Sequence, residues 1–167
     1  IDQFFDSRVN DRTDKYGGTV ENRCRFSLEL LNVLIETFGS EKIIIRISPS
    51  RFMGEIYNWP DLDEMLSYFI SNIQKIGLKM IDISCANANY HETSGMVIRK
   101  VRKLGFDGII IGGASLSLKE ASHEVNESCV DLVTWGRGIL ANVDFVEKLQ
   151  NNEELLGMTD EMRSELY

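Results

Sequence analysis

Residues 42–48 read KIIIRIS, a short and almost continuous run of apolar, mostly β-branched side chains. Such a run is typical of a strand in a parallel sheet that is covered on both faces, since a surface strand would alternate apolar and polar positions. Apolar positions spaced by three and four residues precede this run at 19–38 and follow it at 62–76. Each of these two segments places its apolar side chains in one stripe, so the sequence predicts a strand between two amphipathic helices.

The same alternation continues along the chain. Further strands are predicted at 80–84, 108–111 and 132–135, and further helices at 96–104, 118–125 and 143–149. One helix followed by four strand–helix units predicts an α/β fold with a parallel sheet. An open doubly wound sheet and half of a closed eight-stranded barrel both fit this order, because a complete barrel takes about 250 residues.

The composition predicts one globular unit in a reducing compartment. The chain has 167 residues, of which 43% are apolar, and a net charge of −8. This charge repels nucleic acid and anionic lipid, and no apolar run approaches the ~20 residues of a membrane-spanning helix. Cys24, Cys85 and Cys129 form no C-x-x-C pair, so neither a metal site nor a disulfide framework is predicted. We therefore expect a cytoplasmic protein without nucleic-acid or membrane partners.

Two glycine-bearing segments follow the last two predicted strands. Gly112, Gly113 and Ala114 follow the strand at 108–111, and Gly136 and Arg137 follow the strand at 132–135. Glycine lets backbone N–H groups approach a phosphate closely, and a guanidinium adds a fixed fork of donors. The two segments together predict an anion site at the carboxyl ends of the strands. The alternative interpretation is that both are ordinary glycine-rich turns between strand and helix.

Arg46 is an anomaly inside the apolar run at 42–48. Burying a guanidinium is costly unless it meets an anion or a polar ligand, so Arg46 is a candidate binding residue. Alternatively, it lies at the open end of the strand and is solvated or paired with an acid. Asp82, within the strand at 80–84, could point into a barrel interior or cap a turn.

The polar segment at 10–23 precedes the first long helix. A loop of this composition stays ordered when its charged side chains pair with one another. Arg12, Asp14, Glu21 and Arg23 are the residues that can do so.

Residues 10–26 read NDRTDKYGGTVENRCRF, which resembles the signature loop and helix start of the old yellow enzyme family, the FMN-dependent NAD(P)H:flavin oxidoreductases. The resemblance continues in order through 45–49, 112–113 and 136–142, over about the first 150 residues. The family fold is a (β/α)8 TIM barrel with FMN at the carboxyl ends of its strands. The order of the motifs implies that this chain supplies strands 5 to 8.

The resemblance implies domain boundaries and binding roles. Residues 1–18 would form the signature loop, 19–149 the strand–helix units and 150–167 a C-terminal tail. Arg46 is implied to lie beside the flavin N1 and C2 carbonyl, where a cation stabilises the charge of the reduced ring. The backbone of the segment Gly112, Gly113 and Ala114, together with Gly136 and Arg137, is implied to hold the FMN phosphate.

The implied activity is hydride transfer from NADH or NADPH through FMN to an electron-poor alkene such as an enone, a small-molecule substrate. No catalytic residue and no metal ligand is expected in this segment, because the family's substrate-anchoring pair and proton donor come from the first half of the barrel. Four parallel strands would also leave two unpaired edges. We therefore expect the missing N-terminal half-barrel, or a second copy, as partner, and expect the fragment alone to be inactive. The alternative is a non-catalytic truncated half-barrel that acts by anion binding or assembly.

Overall fold

The computed structural model describes residues 1–85 and 88–164, and the chain divides into two compact units, Ile1–Val133 and Thr134–Tyr167. The first unit contains a four-stranded parallel sheet in the order β1, β4, β5, β6. These strands are β1 (Ile44–Ile47), β4 (Met80–Ser84), β5 (Ile109–Gly113) and β6 (Leu132–Val133). Four parallel strands in chain order confirm the predicted α/β sheet.

One long helix precedes β1, and one helix follows each of β1, β4 and β5, close to the predicted bounds. They are α2 (Val20–Phe38), α3 (Leu62–Lys75), α4 (Ser94–Lys103) and α5 (Leu118–Asn126). Thr19 caps the start of α2, because its Oγ1 accepts a hydrogen bond from the backbone N–H of Asn22 at 3.4 Å. Ser117 and Glu120 form a reciprocal capping box at the start of α5.

Several short elements escape the sequence prediction. In the first unit these are α1 (Asp2–Phe5) and a hairpin of β2 (Ser50–Phe52) and β3 (Ile56–Asn58). In the second unit they are α6 (Gly136–Ala141) and α8 (Asp160–Ser164), whereas α7 (Phe145–Gln150) corresponds to the helix predicted at 143–149. Elements of three to six residues are too short to show a helical or strand period, so the pattern could not reveal them.

Burial along β1 alternates, contrary to the prediction of a strand covered on both faces. Ile45 and Ile47 are buried, whereas Ile44 and Arg46 are exposed. Strand pairing places Ile44 beside Met80 and Ile109 in one row, and Arg46 beside Asp82 in the next. One face of the sheet is therefore packed, and the other exposes part of its apolar surface.

The polar segment at 10–23 is ordered only partly by the predicted pairs. Arg12 does pair with Asp14. Arg23 instead has partners outside the polar segment. Its buried side chain donates to the carbonyl of Phe5 at 2.8 Å and pairs with Asp61 at the start of α3. This correction follows from α2, which turns Arg23 inward with the apolar stripe of the helix.

Within the described residues, no helix combines the length and the apolar character needed to cross a membrane. Cys24, Cys85 and Cys129 form no disulfide. The described part of the chain also holds no cluster of three or more His, Cys, Asp or Glu side chains suited to a metal ion.

Candidate functional site

Arg46 and Asp82 face each other across neighbouring strands at the carboxyl ends of β1 and β4. The Nε of Arg46 donates to Oδ2 of Asp82 at 2.7 Å, and one Nη lies 2.6 Å from the same oxygen as an ion pair. The side chain of Asp82 is 7% exposed and that of Arg46 is 64% exposed. A buried carboxylate thus holds one edge of a guanidinium whose other donors lie toward solvent. The alternative interpretation of Arg46, an arginine paired with an acid, is confirmed as far as this contact goes.

Two serines extend this contact along the strand ends. The hydroxyl of Ser84 donates to Oδ1 of Asp82, so both carboxylate oxygens of Asp82 accept hydrogen bonds. The hydroxyl of Ser48 donates to the carbonyl of Ser84 at 2.7 Å and joins the end of β1 to the end of β4. The resulting chain of contacts fixes Arg46 at the rim of the sheet.

A hollow of about 650 Å³ opens beside Arg46. Its volume lies within the range of sites that hold a drug-sized ligand or cofactor, roughly 300–1,000 Å³. The lining is formed by the N-terminal segment, the ends of β1 and β4 and the first strand of the hairpin: Ile1, Asp2, Arg46, Ser48, Arg51, Phe52 and Cys85. Of the two guanidiniums in this lining, that of Arg51 is paired with Asp2 and Asp6, so the largely exposed Arg46 is the donor placed for an electron-rich ligand.

The hairpin is tied to the N-terminal segment by residues that the sequence analysis did not single out. Arg51 donates to Asp2 at 3.0 Å and to Asp6 at 3.1 Å, and the hydroxyl of Tyr57 donates to Asp6 at 2.6 Å. Burial, followed by the hydrogen bond to Asp6, raises the pKa of Tyr57 to about 12. The partners are more than 40 residues apart in sequence, and no local pattern links them.

Gly112 and Gly113 are the last residues of β5, two strands from Arg46 at the same end of the sheet. The prediction that they follow this strand, which was predicted to end at residue 111, is therefore wrong. A Cβ on Gly112 would meet side-chain atoms of Ile98 and Val130 at 2.7 Å and 2.8 Å, so glycine is required there for packing. The carbonyl of Gly113 accepts a hydrogen bond from the hydroxyl of Ser94 at 3.0 Å.

The chain leaves the strand at the third residue of the predicted phosphate segment. Ala114 is half-buried, and Ser115 has a φ of +52°, a left-handed conformation that few non-glycine residues adopt. Such a turn brings successive N–H groups toward one side of the backbone, as anion-binding loops require.

Gly136 and Arg137 lie in the second unit and begin α6, where the sequence analysis predicted a loop. Both residues are exposed, and a Cβ on Gly136 would meet no other atom within 4 Å. The second unit is held by Asn142, which is 1% exposed and bonds to Gly138 and to both backbone groups of Leu156.

The parallel strand–helix units, with polar groups at the carboxyl ends of the strands, define half of a (β/α)8 barrel. The solved old yellow enzyme homologue from Zymomonas mobilis superposes with a TM-score of 0.82 at 19% identity, over 96% of this chain and 46% of that structure. Residues 1–155 match the model of the NADH:flavin oxidoreductase / NADH oxidase family, and the chain belongs to that family.

Curated relatives agree with this assignment. The chain is 32% identical over 154 residues to putative 12-oxophytodienoate reductase 11 of Oryza sativa subsp. japonica, covering 90% of this chain and 41% of the relative. It is 30% identical over 148 residues to a probable flavin mononucleotide-dependent alkene reductase of Leishmania infantum, covering 89% and 40%. The chain therefore spans about two fifths of the length of these relatives.

The donor set at the rim of the hollow fits an isoalloxazine ring. A guanidinium carries five N–H donors. The Nε of Arg46 donates to Asp82 and one Nη is in ion-pair contact with it, so N–H donors remain for ring carbonyl and nitrogen acceptors. The hollow beside it also has the volume of a cofactor site. The residues of the first unit are therefore compatible with FMN at the carboxyl ends of the strands.

Proposed function

We propose that this chain is the FMN-binding C-terminal half of an oxidoreductase that passes hydride from NADH or NADPH, through FMN, to an electron-poor alkene such as an enone. The whole barrel is the active unit in this proposal, since the chain spans about two fifths of its relatives. The observation that carries it is the partly exposed guanidinium of Arg46 beside a hollow of about 650 Å³ at the strand ends. Family membership and a relative named as a flavin-dependent alkene reductase support it.

Bound FMN would supply the hydride-transfer chemistry, and the residues of this chain would bind and orient it. Arg46 is assigned to the N1 and C2 carbonyl side of the ring, where a fixed cation favours added negative charge. Asp82 and Ser84 keep that cation in place through both carboxylate oxygens.

The FMN phosphate is assigned to the backbone of Gly113 and Ala114 and to Gly136 and Arg137, with Gly112 packing the end of β5 beneath the segment. The left-handed turn at Ser115 supports the first part of this assignment. The second part rests on the guanidinium of Arg137, which forms charge-assisted hydrogen bonds to phosphate.

The remaining half of the barrel is the proposed partner, and the exposed face of the sheet supports this. Ile44, Ile109 and Leu132 are 51%, 40% and 53% exposed, and a complete barrel would bury them. The pair that anchors the substrate and the proton donor would come from that half. A cytoplasmic location stays a prediction from composition.

FMN titration tests the proposal in the protein that joins this chain to its upstream barrel half. Binding is read from the change in flavin absorbance and fluorescence. Arg137→Ala should weaken binding by about 1.5–3 kcal/mol, the range for hydrogen bonds to charged groups, which is roughly 10- to 150-fold.

Arg163→Ala is the matched control, since Arg163 is an exposed arginine of the same unit paired with Asp160. It should leave the FMN affinity unchanged. A protein that binds no FMN at micromolar concentrations would refute the proposed function, whereas equal affinity in Arg137→Ala would remove Arg137 from the phosphate site.

A further inference from the structure

We propose that Asp82 is a positioning residue that sets how much of the positive charge of Arg46 reaches a ligand in the hollow. The inference rests on the proposed function and extends the role of Asp82 from holding Arg46 to setting the charge that a ligand meets. Its basis is the contact between a nearly buried carboxylate and a largely exposed guanidinium.

Asp82 accepts hydrogen bonds from Arg46 and from the hydroxyl of Ser84. Oδ2 accepts from Nε of Arg46 and forms an ion pair with one Nη, and Oδ1 accepts from the hydroxyl of Ser84. The carbonyl of Ser84 accepts a hydrogen bond from the hydroxyl of Ser48, so the serines link β1 to β4 two residues beyond the pair. A carboxylate held at both oxygens cannot turn away from Arg46 without breaking these contacts.

A stabilising role does not account for this pair. Burying a carboxylate costs several kcal/mol of solvation, and a partner that is mostly exposed to water returns little of that cost. An apolar residue would suit the same position, because Ile111 on β5 is the neighbour of Asp82 on its other side. The placement is better explained by its effect on Arg46 at the mouth of the hollow.

Electrostatics gives the direction of that effect. Two opposite charges in contact act on a more distant group as a dipole, so Asp82 offsets part of the field of Arg46. Two-electron reduction adds negative charge to FMN, and an uncompensated guanidinium would favour that charge more strongly. Asp82 thus holds the reduction potential of bound FMN below the value that Arg46 alone would give.

Asp82→Asn tests this in the FMN-loaded protein, since the amide keeps an oxygen acceptor for Arg46 and loses the charge. The readout is the midpoint potential of bound FMN, measured by spectroscopic titration against reference dyes. Reduced FMN should bind at least tenfold more tightly relative to oxidised FMN than in the parent, an upward shift of about 30 mV for a two-electron couple.

Asp63→Asn is the matched control. Asp63 is an exposed carboxylate at the start of α3 and pairs with Lys100 of α4. Its substitution should not change the midpoint potential of bound FMN. Asp82→Ser, which also keeps an oxygen acceptor and removes the charge, should shift the potential upward like Asp82→Asn and replaces it if the asparagine variant fails to fold.

An unchanged or lowered potential in a variant that still binds FMN would overturn the role of Asp82 and leave the proposed function standing. A parent protein that binds no FMN would overturn both. The two failures are therefore distinguished by FMN binding to the parent.

Discussion

Arg46 divides its hydrogen-bonding groups between the sheet and the hollow. One edge of its guanidinium is held by Asp82, and the side chain nevertheless stays 64% exposed. An arginine is tolerated within this isoleucine-rich strand because most of its side chain is exposed to water. At the residue scale, structure and binding therefore depend on the same side chain.

Arg46→Ala should weaken FMN binding about tenfold or more in the complete barrel, because it removes a charge-assisted donor to the ring. The dissociation constant from flavin fluorescence measures this. Arg12→Ala is the control, since Arg12 forms an exposed pair with Asp14 in the polar segment. An affinity equal to that of the parent would exclude Arg46 from the flavin site.

Alkaline pH should destabilise the protein through Cys24 and Tyr57. Burial raises the pKa of Cys24 to about 12, and burial with the hydrogen bond to Asp6 raises that of Tyr57 to about 12. The unfolded chain loses these protons near pH 9 and pH 10, so stability is complete below pH 9 and falls between about pH 9 and 12.

The slope of this loss approaches about 1.4 kcal/mol per pH unit for each group that is deprotonated only in the unfolded chain. Urea unfolding at a series of pH values measures it. Cys24→Ala and Tyr57→Phe should each reduce the slope, and a parent stability that stays flat from pH 9 to 11 would contradict the prediction.

At the scale of elements, Gly112 determines how closely α4 and the end of β5 approach each other. Ile98 of α4 and Val130, which precedes β6, occupy the space that a side chain at position 112 would need. Gly112, which was predicted to belong to the phosphate site, thus also allows α4 to pack closely against the end of β5.

Gly112→Ala should destabilise the protein by about 1–3 kcal/mol, the usual cost of overpacking a core. The free energy of unfolding in urea measures the effect. Gly157→Ala is the control, because a Cβ at position 157 meets no atom within 4 Å. An unchanged free energy of unfolding in Gly112→Ala would contradict the prediction, because α4 and β5 would then accommodate the added methyl group without loss of stability.

At the scale of the whole molecule, the four strands of this chain form half of a barrel, and one face of their sheet is therefore exposed. Ile44, Ile109 and Leu132 expose apolar surface on strands whose other face is packed by helices. Full burial of such a side chain is worth roughly 1.5–3 kcal/mol, and about half of that remains to be gained because each is already about half buried. This surface favours association with the complementary half or, in its absence, with other copies.

The chain without its complementary half should therefore self-associate and bind an apolar fluorescent dye. Leu132→Gln should weaken self-association by about 1–2 kcal/mol, or roughly tenfold in dissociation constant, as measured by sedimentation. Val33→Gln is the control, since Val33 is 58% exposed on α2. A dye-silent monomer at high concentration would contradict this expectation.

The order of the four parallel strands and of the longer helices, and the resemblance to the family, could be predicted from the sequence. The strand at Met80–Ser84 and the helix from Val20 to Phe38 could be predicted because apolar spacing and caps act between neighbouring residues. The candidate binding residues could be named from the same strand ends, and their roles toward FMN stay predictions.

The contacts between residues distant in sequence could not be predicted and follow from the three-dimensional fold. Arg46 contacts Asp82, 36 residues away, and Arg23 contacts Asp61, 38 residues away. The hairpin that lines the hollow is likewise tied to the N-terminal segment through Arg51. Such pairs depend on strand register and on how helices pack on the sheet, and these arise from the summed contacts of the fold rather than from any local pattern.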